Sequence, residues 1–185
     1  METLEAIHTR QSIGQVKLDP VPRELIEKIL TAAVQAPNHH KVRPWRFVVM
    51  TGAGREKLGE AMAQSTKASK PDAVEEDLQK DRARPLRAPA VIAVAVDKPA
   101  LAKVKETENL CATAAAVQNM LLAAHALGLA AIWRTGPAAT DPAIKRFLGW
   151  EADQYLIGFI YVGYPQTELP LPTRPSFEDR VVWWE

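Results

Sequence analysis

A short polar loop between two prolines holds the densest group of side chains able to do chemistry. Residues 36–45 read Ala-Pro-Asn-His-His-Lys-Val-Arg-Pro-Trp, so an amide, two imidazoles, an ammonium and a guanidinium share one loop. The flanking prolines fix φ and reduce the entropy lost on ordering. The loop suits an anionic ligand or one rich in acceptors, and a merely solvated loop is the alternative. No metal is expected, because the adjacent His39 and His40 diverge and no third ligand is indicated.

Two other segments combine a cation with small polar groups. Ile-Trp-Arg-Thr-Gly at 132–136 ends an apolar run, and ligand-binding groups gather at strand ends, where a glycine lets backbone N–H groups approach a ring or an anion. Arg-Gln-Ser at 10–12 places a guanidinium beside a hydroxyl, which suits phosphate because arginine binds phosphate oxygens bidentately. For each segment taken alone, the alternative is an ordinary helix end or strand end.

The elements that must position these groups follow from apolar spacing. Helical spacing predicts helices over residues 1–10, 23–34, 55–66, 72–84, 106–127 and 141–148. Short apolar and β-branched runs predict strands over 46–51, 90–96, 130–134 and 155–162, and the Pro-rich residues 165–185 are expected to be irregular. Helices and strands interleave without a repeat or linker, which predicts one α+β or α/β domain spanning residues 1–185.

Two of the predicted helices raise questions of their own. The helix over 106–127 is apolar nearly all round its axis, so it must be buried on every side, within the chain or against a second copy. Its many alanines favour a dimer interface, and Cys111 within it is expected to be a packed thiol. The highly charged helix over 72–84 is interpreted as a solvated face, with a lid over a pocket as the alternative.

Composition excludes several classes of protein. The chain has 185 residues and a net charge of +1, so no overall field attracts nucleic acid or an anionic membrane. A single cysteine excludes a disulfide framework and a multi-thiolate metal site. The first thirty residues lack the apolar stretch of a secretory signal, and polar Gln118 and Asn119 interrupt the longest apolar helix. We therefore expect a cytoplasmic protein.

Taken in order, these segments resemble the nitroreductase family of FMN-dependent flavoproteins, and most closely its short bacterial branch. The resemblance covers nearly the whole chain. Its motifs are Arg10-x-Ser12, Ala36-Pro37 with Arg43-Pro44-Trp45-Arg46-Phe47, the run from Gly128 to Gly136, and Gly158 with Val162-Gly163-Tyr164-Pro165. It implies an α+β fold, an α/β/α sandwich with a mostly antiparallel central sheet, and an intertwined homodimer with FMN at its interface.

The resemblance also implies which residues would contact the cofactor. Arg10, Gln11 and Ser12 would hold the phosphate and ribityl chain. Trp133, Arg134, Thr135 and Gly136 would border the flavin ring and its tail. The partner chain would contribute Asn38, His39, Lys41 and Arg43.

Some positions stay open in that assignment. Family members often carry a second basic residue soon after the first arginine, where this chain has Gln11, Gly14 and Gln15. A C-terminal cation for the phosphate is either Arg174 or Arg180. The stabiliser of the reduced flavin is expected to be Arg134 first, and Lys41 or Arg43 second.

The expected function is an FMN-dependent NAD(P)H oxidoreductase. Hydride would pass from NADH or NADPH through flavin N5 to a nitroaromatic, a quinone or a similar small acceptor, with ping-pong kinetics and without an obligatory acid or base from the protein. Two alternatives remain. The same scaffold could support other flavin chemistry, such as dehalogenation or consumption of the flavin, or the chain could be a non-catalytic dimeric binding module.

Overall fold

The computed structural model of the chain describes residues 1–167 and 169–185, so Glu168, inside the predicted irregular segment, lies outside the described residues. A four-stranded antiparallel sheet has the order β1-β2-β4-β3. Its strands are β1 (Trp45–Thr51), β2 (Ala90–Val96), β3 (Ala130–Arg134) and β4 (Tyr155–Gly163). The predicted α+β class with an antiparallel sheet is confirmed.

Helices cover both faces of the sheet. In chain order they are α1 (Thr3–Thr9), α2 (Arg23–Ala33), α3 (Ala53–Ser69), α4 (Glu75–Ala83), α5 (Glu106–Ala126), α6 (Pro137–Thr140) and α7 (Pro142–Phe147). Single 3-10 turns lie at His39–Lys41, Arg84–Arg87 and Glu178–Arg180. Each predicted helix and strand is present with ends moved by a few residues. Among the described residues, the four-residue α6 and the three 3-10 turns were not predicted.

Strand β2 shows how the two layers are built. Every residue from Ala90 to Val96 is buried, because a central strand covered on both faces carries apolar side chains throughout. Its alternate side chains join two separate clusters, since successive strand residues point to opposite faces. Ile92 and Val94 pack with α2 and α5 in one cluster, whereas Val91 and Ala93 pack with α3 and α7 in the other.

Helix α5 is buried on one side only within the chain. Ala116, Val117 and Met120 are fully buried against the sheet. A second stripe at helical spacing is exposed or half-buried, and it consists of Thr107, Cys111, Ala114, Ala115, Gln118 and Leu122. The prediction of a packed Cys111 is therefore wrong for the single chain, because Cys111 lies on this stripe. The prediction that a second copy covers α5 stays a prediction.

The charged helix α4 is packed rather than fully solvated. Leu78 and Asp81 are buried, and Gly59 of α3 lies directly against the backbone carbonyl of Arg82. The Arg82 side chain also donates a 2.7 Å hydrogen bond to Glu60 of α3. Helices α3 and α4 thus form a closely packed hairpin. This packing does not fully match either a solvated face or a lid over a pocket, the two interpretations of this segment. No helix among the described residues is both long and apolar enough to cross a membrane.

Candidate functional site

The segment after α1 runs beside the sheet edge and brings the Arg-Gln-Ser motif to strand β3. The Ile13 N–H donates to the carbonyl oxygen of Ala131 at 3.1 Å, and the Lys17 N–H donates to Tyr164 at 2.8 Å. The Gln11 amide donates to the carbonyl of Pro170 in the C-terminal segment at 3.0 Å. Residues 10–14 are thereby held between β3 and the C-terminal segment.

A cluster of basic groups surrounds Arg10. The Arg174 guanidinium donates to the Arg10 carbonyl oxygen at 3.0 Å. Burial, and then the nearby charge of Arg174, lower the pKa of Arg10. Neither arginine forms a salt bridge with any described residue, so no described carboxylate neutralises the positive charge of the pair. Arg174, rather than Arg180, is the C-terminal cation beside Arg10, and such a pair of cations suits a phosphate.

His125, near the end of α5, completes this cluster. The Thr9 hydroxyl donates to the Glu5 carbonyl and therefore accepts from His125 Nε2, at 2.8 Å. Burial lowers the pKa of His125, the charge of Arg10 lowers it further, and Glu5 opposes the shift. The histidine is thus held neutral beside the guanidinium.

A cavity of 440 Å³ opens where β3 ends, and it contains the second predicted motif. Trp133, Arg134, Thr135 and Gly136 all line it, together with Tyr161 of β4. The Arg134 guanidinium lies 5.7 Å from the centre of the Tyr161 ring. The Trp133 indole points to the opposite face of the sheet, where it donates to the Ile157 carbonyl at 3.0 Å. Trp133 therefore borders the cavity mainly through its backbone, and its ring anchors the strand end.

Gly136 has φ +101°, which is unfavourable for any residue with a Cβ. Its N–H makes no hydrogen bond to another residue in the described parts of the chain. Gly136 also lies on the cavity wall.

Two arginines that the sequence analysis did not single out also line the cavity. Arg84 and Arg87 belong to the 3-10 turn that follows α4 and leads into β2. Arg84 is held at 3.0 Å by Asp81, whose other carboxylate oxygen accepts a 2.6 Å hydrogen bond from Thr66. Three arginines therefore line one cavity, and Asp81 offsets the charge of one of them. A pair of cations just before a strand was the available sequence signal, but it was hidden in a run of other charges.

The proline-flanked loop lies at a different place, against the first turns of α5. His39, Lys41 and Arg43 are exposed, and His39 Nε2 is 3.7 Å from a carboxylate oxygen of Glu108. The Asn38 side chain is used by the loop itself, because its oxygen accepts the Arg43 N–H at 2.9 Å and its NH₂ donates to Ala36.

The backbone of this loop is strained. His40, Lys41 and Arg43 have φ of 51°, 54° and 52°, which non-glycine residues seldom adopt. Backbone strain of this kind is concentrated at functional sites.

The structure places Arg10 and the proline-flanked loop at opposite ends of α5. Arg10 lies near His125, whereas the loop contacts α5 at Glu108. These helix positions are 17 residues apart, or about 26 Å along a helix. One chain therefore does not bring the two groups together around one small molecule.

A helix-flanked antiparallel sheet with arginines lining a strand-end cavity defines an α+β protein with a basic cavity. Residues 7–164 match the sequence model of the nitroreductase family, and the chain belongs to that family. The Escherichia coli protein named "Putative NAD(P)H nitroreductase YdjA" is 33% identical over 182 residues, covering 96% of this chain and 98% of that protein.

Solved structures agree with the fold. A nitroreductase-like family protein from Bacillus cereus superposes with a TM-score of 0.85 at 26% identity, covering 100% of this chain and 97% of that one. A Desulfovibrio desulfuricans protein solved in complex with FMN gives a TM-score of 0.76 at 27% identity, covering 100% of this chain and 99% of that one.

Proposed function

We propose that the chain is an FMN-dependent NAD(P)H oxidoreductase that acts as a homodimer and reduces small acceptors such as nitroaromatics or quinones. The observation that supports this most is the strand-end cavity with three arginines, which lies next to the segment that leads back to Arg10 and Arg174. The FMN-bound relative and the names of the curated relatives point to the same cofactors.

The basic cluster fits the phosphate of FMN. Arg10 and Arg174 offer two charged donors without a competing carboxylate among the described residues, and charge-assisted hydrogen bonds are the stronger class. The Ser12 hydroxyl is exposed beside them, and Gln11 fixes the C-terminal segment over the same region. We assign these residues to the phosphate and the ribityl chain.

The cavity fits the ring of the cofactor. Thr135 and Gly136 lie on the cavity wall, while Arg87 and Arg134 provide positive charge that no described carboxylate pairs with. FMN, when bound, takes up electrons from NAD(P)H and delivers them to a second substrate. Fixed cations beside a group that gains negative charge stabilise its reduced form, because they need no reorganisation. We assign this role to Arg134 first.

A second copy of the chain completes the site. Its loop would contribute His39, Lys41 and Arg43 to the cofactor, and Asn38 would hold that loop in its strained conformation. The exposed small-residue stripe of α5 is the surface that a partner copy would cover. The C-terminal segment also needs cover, since Val182, Trp183 and Trp184 are 81%, 75% and 95% exposed.

A spectrum of the purified protein tests the proposal. We expect flavin absorbance, release of about one FMN per chain on denaturation, bleaching by NADH or NADPH without oxygen, and recovery of colour on adding a quinone. Arg134→Ala should slow the bleaching, whereas Arg23→Ala, which removes an exposed arginine paired with Glu27, should not.

Each contrary result identifies an alternative. Bleaching without reduction of any acceptor would favour other flavin chemistry on this scaffold. A colourless protein that ignores added FMN and does not oxidise NAD(P)H would overturn the proposal and favour a binding module.

A further inference from the structure

Gly14 lies directly against the guanidinium group of Arg134. A Cβ built on Gly14 would be 2.9 Å from Arg134 Nη2 and 3.8 Å from Ile132 Cδ1. Gly14 does not have a positive φ, so its backbone conformation does not require a glycine. Gly14 therefore matters because it has no side chain, and the Arg134 guanidinium occupies the space that a side chain would take.

Tyr161 bounds the same guanidinium by its ring. The Arg134 Cζ atom is 5.7 Å from the ring centroid, within the range of a cation–π interaction. Tyr161 is only 7% exposed and belongs to the central strand β4, so its ring is a fixed wall. Burial raises the pKa of Tyr161, which keeps the phenol neutral, while Arg134, Arg87 and Arg84 oppose that shift.

We propose that Gly14 and Tyr161 form a slot that positions the Arg134 guanidinium at the cavity, and that this slot sets the reduction potential of the bound flavin. The inference rests on the function proposed above. Arg134 has no carboxylate partner among the described residues, so this packing takes the place of a salt bridge in fixing its direction. Both slot residues are positioning residues, because they act through Arg134.

Gly14→Ala is the direct test. The added methyl meets the far end of a flexible side chain rather than backbone, so we expect the variant to fold, with Arg134 displaced. The flavin midpoint potential should become more negative, by about as much as in Arg134→Ala. The double variant should match Arg134→Ala alone, because residues that act through one group are not additive. Gly54→Ala is the matched control, since its Cβ would meet only Met50, at 3.6 Å.

Two measurements keep the test independent of turnover. A crystal structure of cofactor-free Gly14→Ala should show Arg134 moved from Tyr161, and this result does not depend on FMN. Tyr161→Phe keeps the ring and should keep the potential, whereas Tyr161→Leu should lower it. The slot is refuted if Arg134 is unmoved in that crystal structure, or if the potential stays at the wild-type value in Gly14→Ala or Arg134→Ala. If the wild-type protein binds no FMN but Arg134 moves as expected in Gly14→Ala, the proposed function and the effect on the flavin potential are refuted. The positioning of Arg134 by Gly14 and Tyr161 would still be supported.

Discussion

Two variants of this chain that each fail to bind FMN should bind it again when they are mixed. One variant carries Arg10→Ala and Arg174→Ala, which removes the basic cluster, and the other carries Lys41→Glu and Arg43→Glu, which reverses the charge of the loop. The two groups are about 26 Å apart along α5 of one chain, so a shared site must take one group from each chain. A mixed dimer then holds one site with both groups intact and one site with neither.

The expected occupancy follows from random pairing. With equal amounts of the two variants, half of the dimers are mixed and each has one intact site of two, so about a quarter of all sites should bind FMN. Each variant alone should bind almost none at the same concentration. The assay is FMN fluorescence quenching after the chains have exchanged under mild denaturation and refolding.

A second mixture serves as the control. Wild-type chains mixed with chains that carry all four substitutions should keep about a quarter of the sites if the site is shared, but about half if each chain binds FMN alone. Absence of binding in the first mixture, together with half occupancy in the second, would refute the shared site.

Three further predictions concern single positions. Arg10→Ala should weaken FMN binding by about 10- to 150-fold, as expected for loss of charged hydrogen bonds worth about 1.5–3 kcal/mol, and a titration of cofactor-free protein measures it. The pKa of His125 is lowered in the free protein, and FMN binding should raise it, because a phosphate dianion beside Arg10 reverses the local charge. An NMR titration measures this pKa, with His125→Gln used to assign the signal. An unchanged pKa would place the phosphate elsewhere. Gly59→Ala should lower the free energy of unfolding in urea by about 1–3 kcal/mol, because the added methyl group would clash with the Arg82 backbone. Gly54→Ala should be neutral or slightly stabilising. Equal stabilities of the two variants would contradict the close packing of α3 on α4.

The sequence predicted best where apolar runs have sharp boundaries. Strands β2 and β3 begin and end where predicted, because Pro89 and Asp97 bound the first and Gly128, with φ +75°, precedes the second. The uninterrupted apolar run of β2 agrees with the burial of all its residues.

Features that depend on distant contacts were harder to predict. Arg84 ended a helix that was interpreted as a solvated face and Arg87 was not singled out, and only the folded chain brings both to the cavity beside Tyr161. Arg174 and Arg180 could not be separated, since an irregular segment has no periodicity from which its path could be inferred. The two hydrogen bonds that Asn38 makes within its own loop also could not be inferred from the sequence, and its contact with the ligand stays a prediction.

The close contact between Gly59 and α4 has a consequence for how this scaffold can diverge. Arg84 and Arg87 follow α4 directly, so their position depends on where α4 packs against Gly59 of α3. The connection over residues 70–74 lies at the other end of the hairpin and is largely exposed. Insertions there can accumulate over evolution, and new surface for substrate choice can be added, while the arginines keep their places beside the sheet.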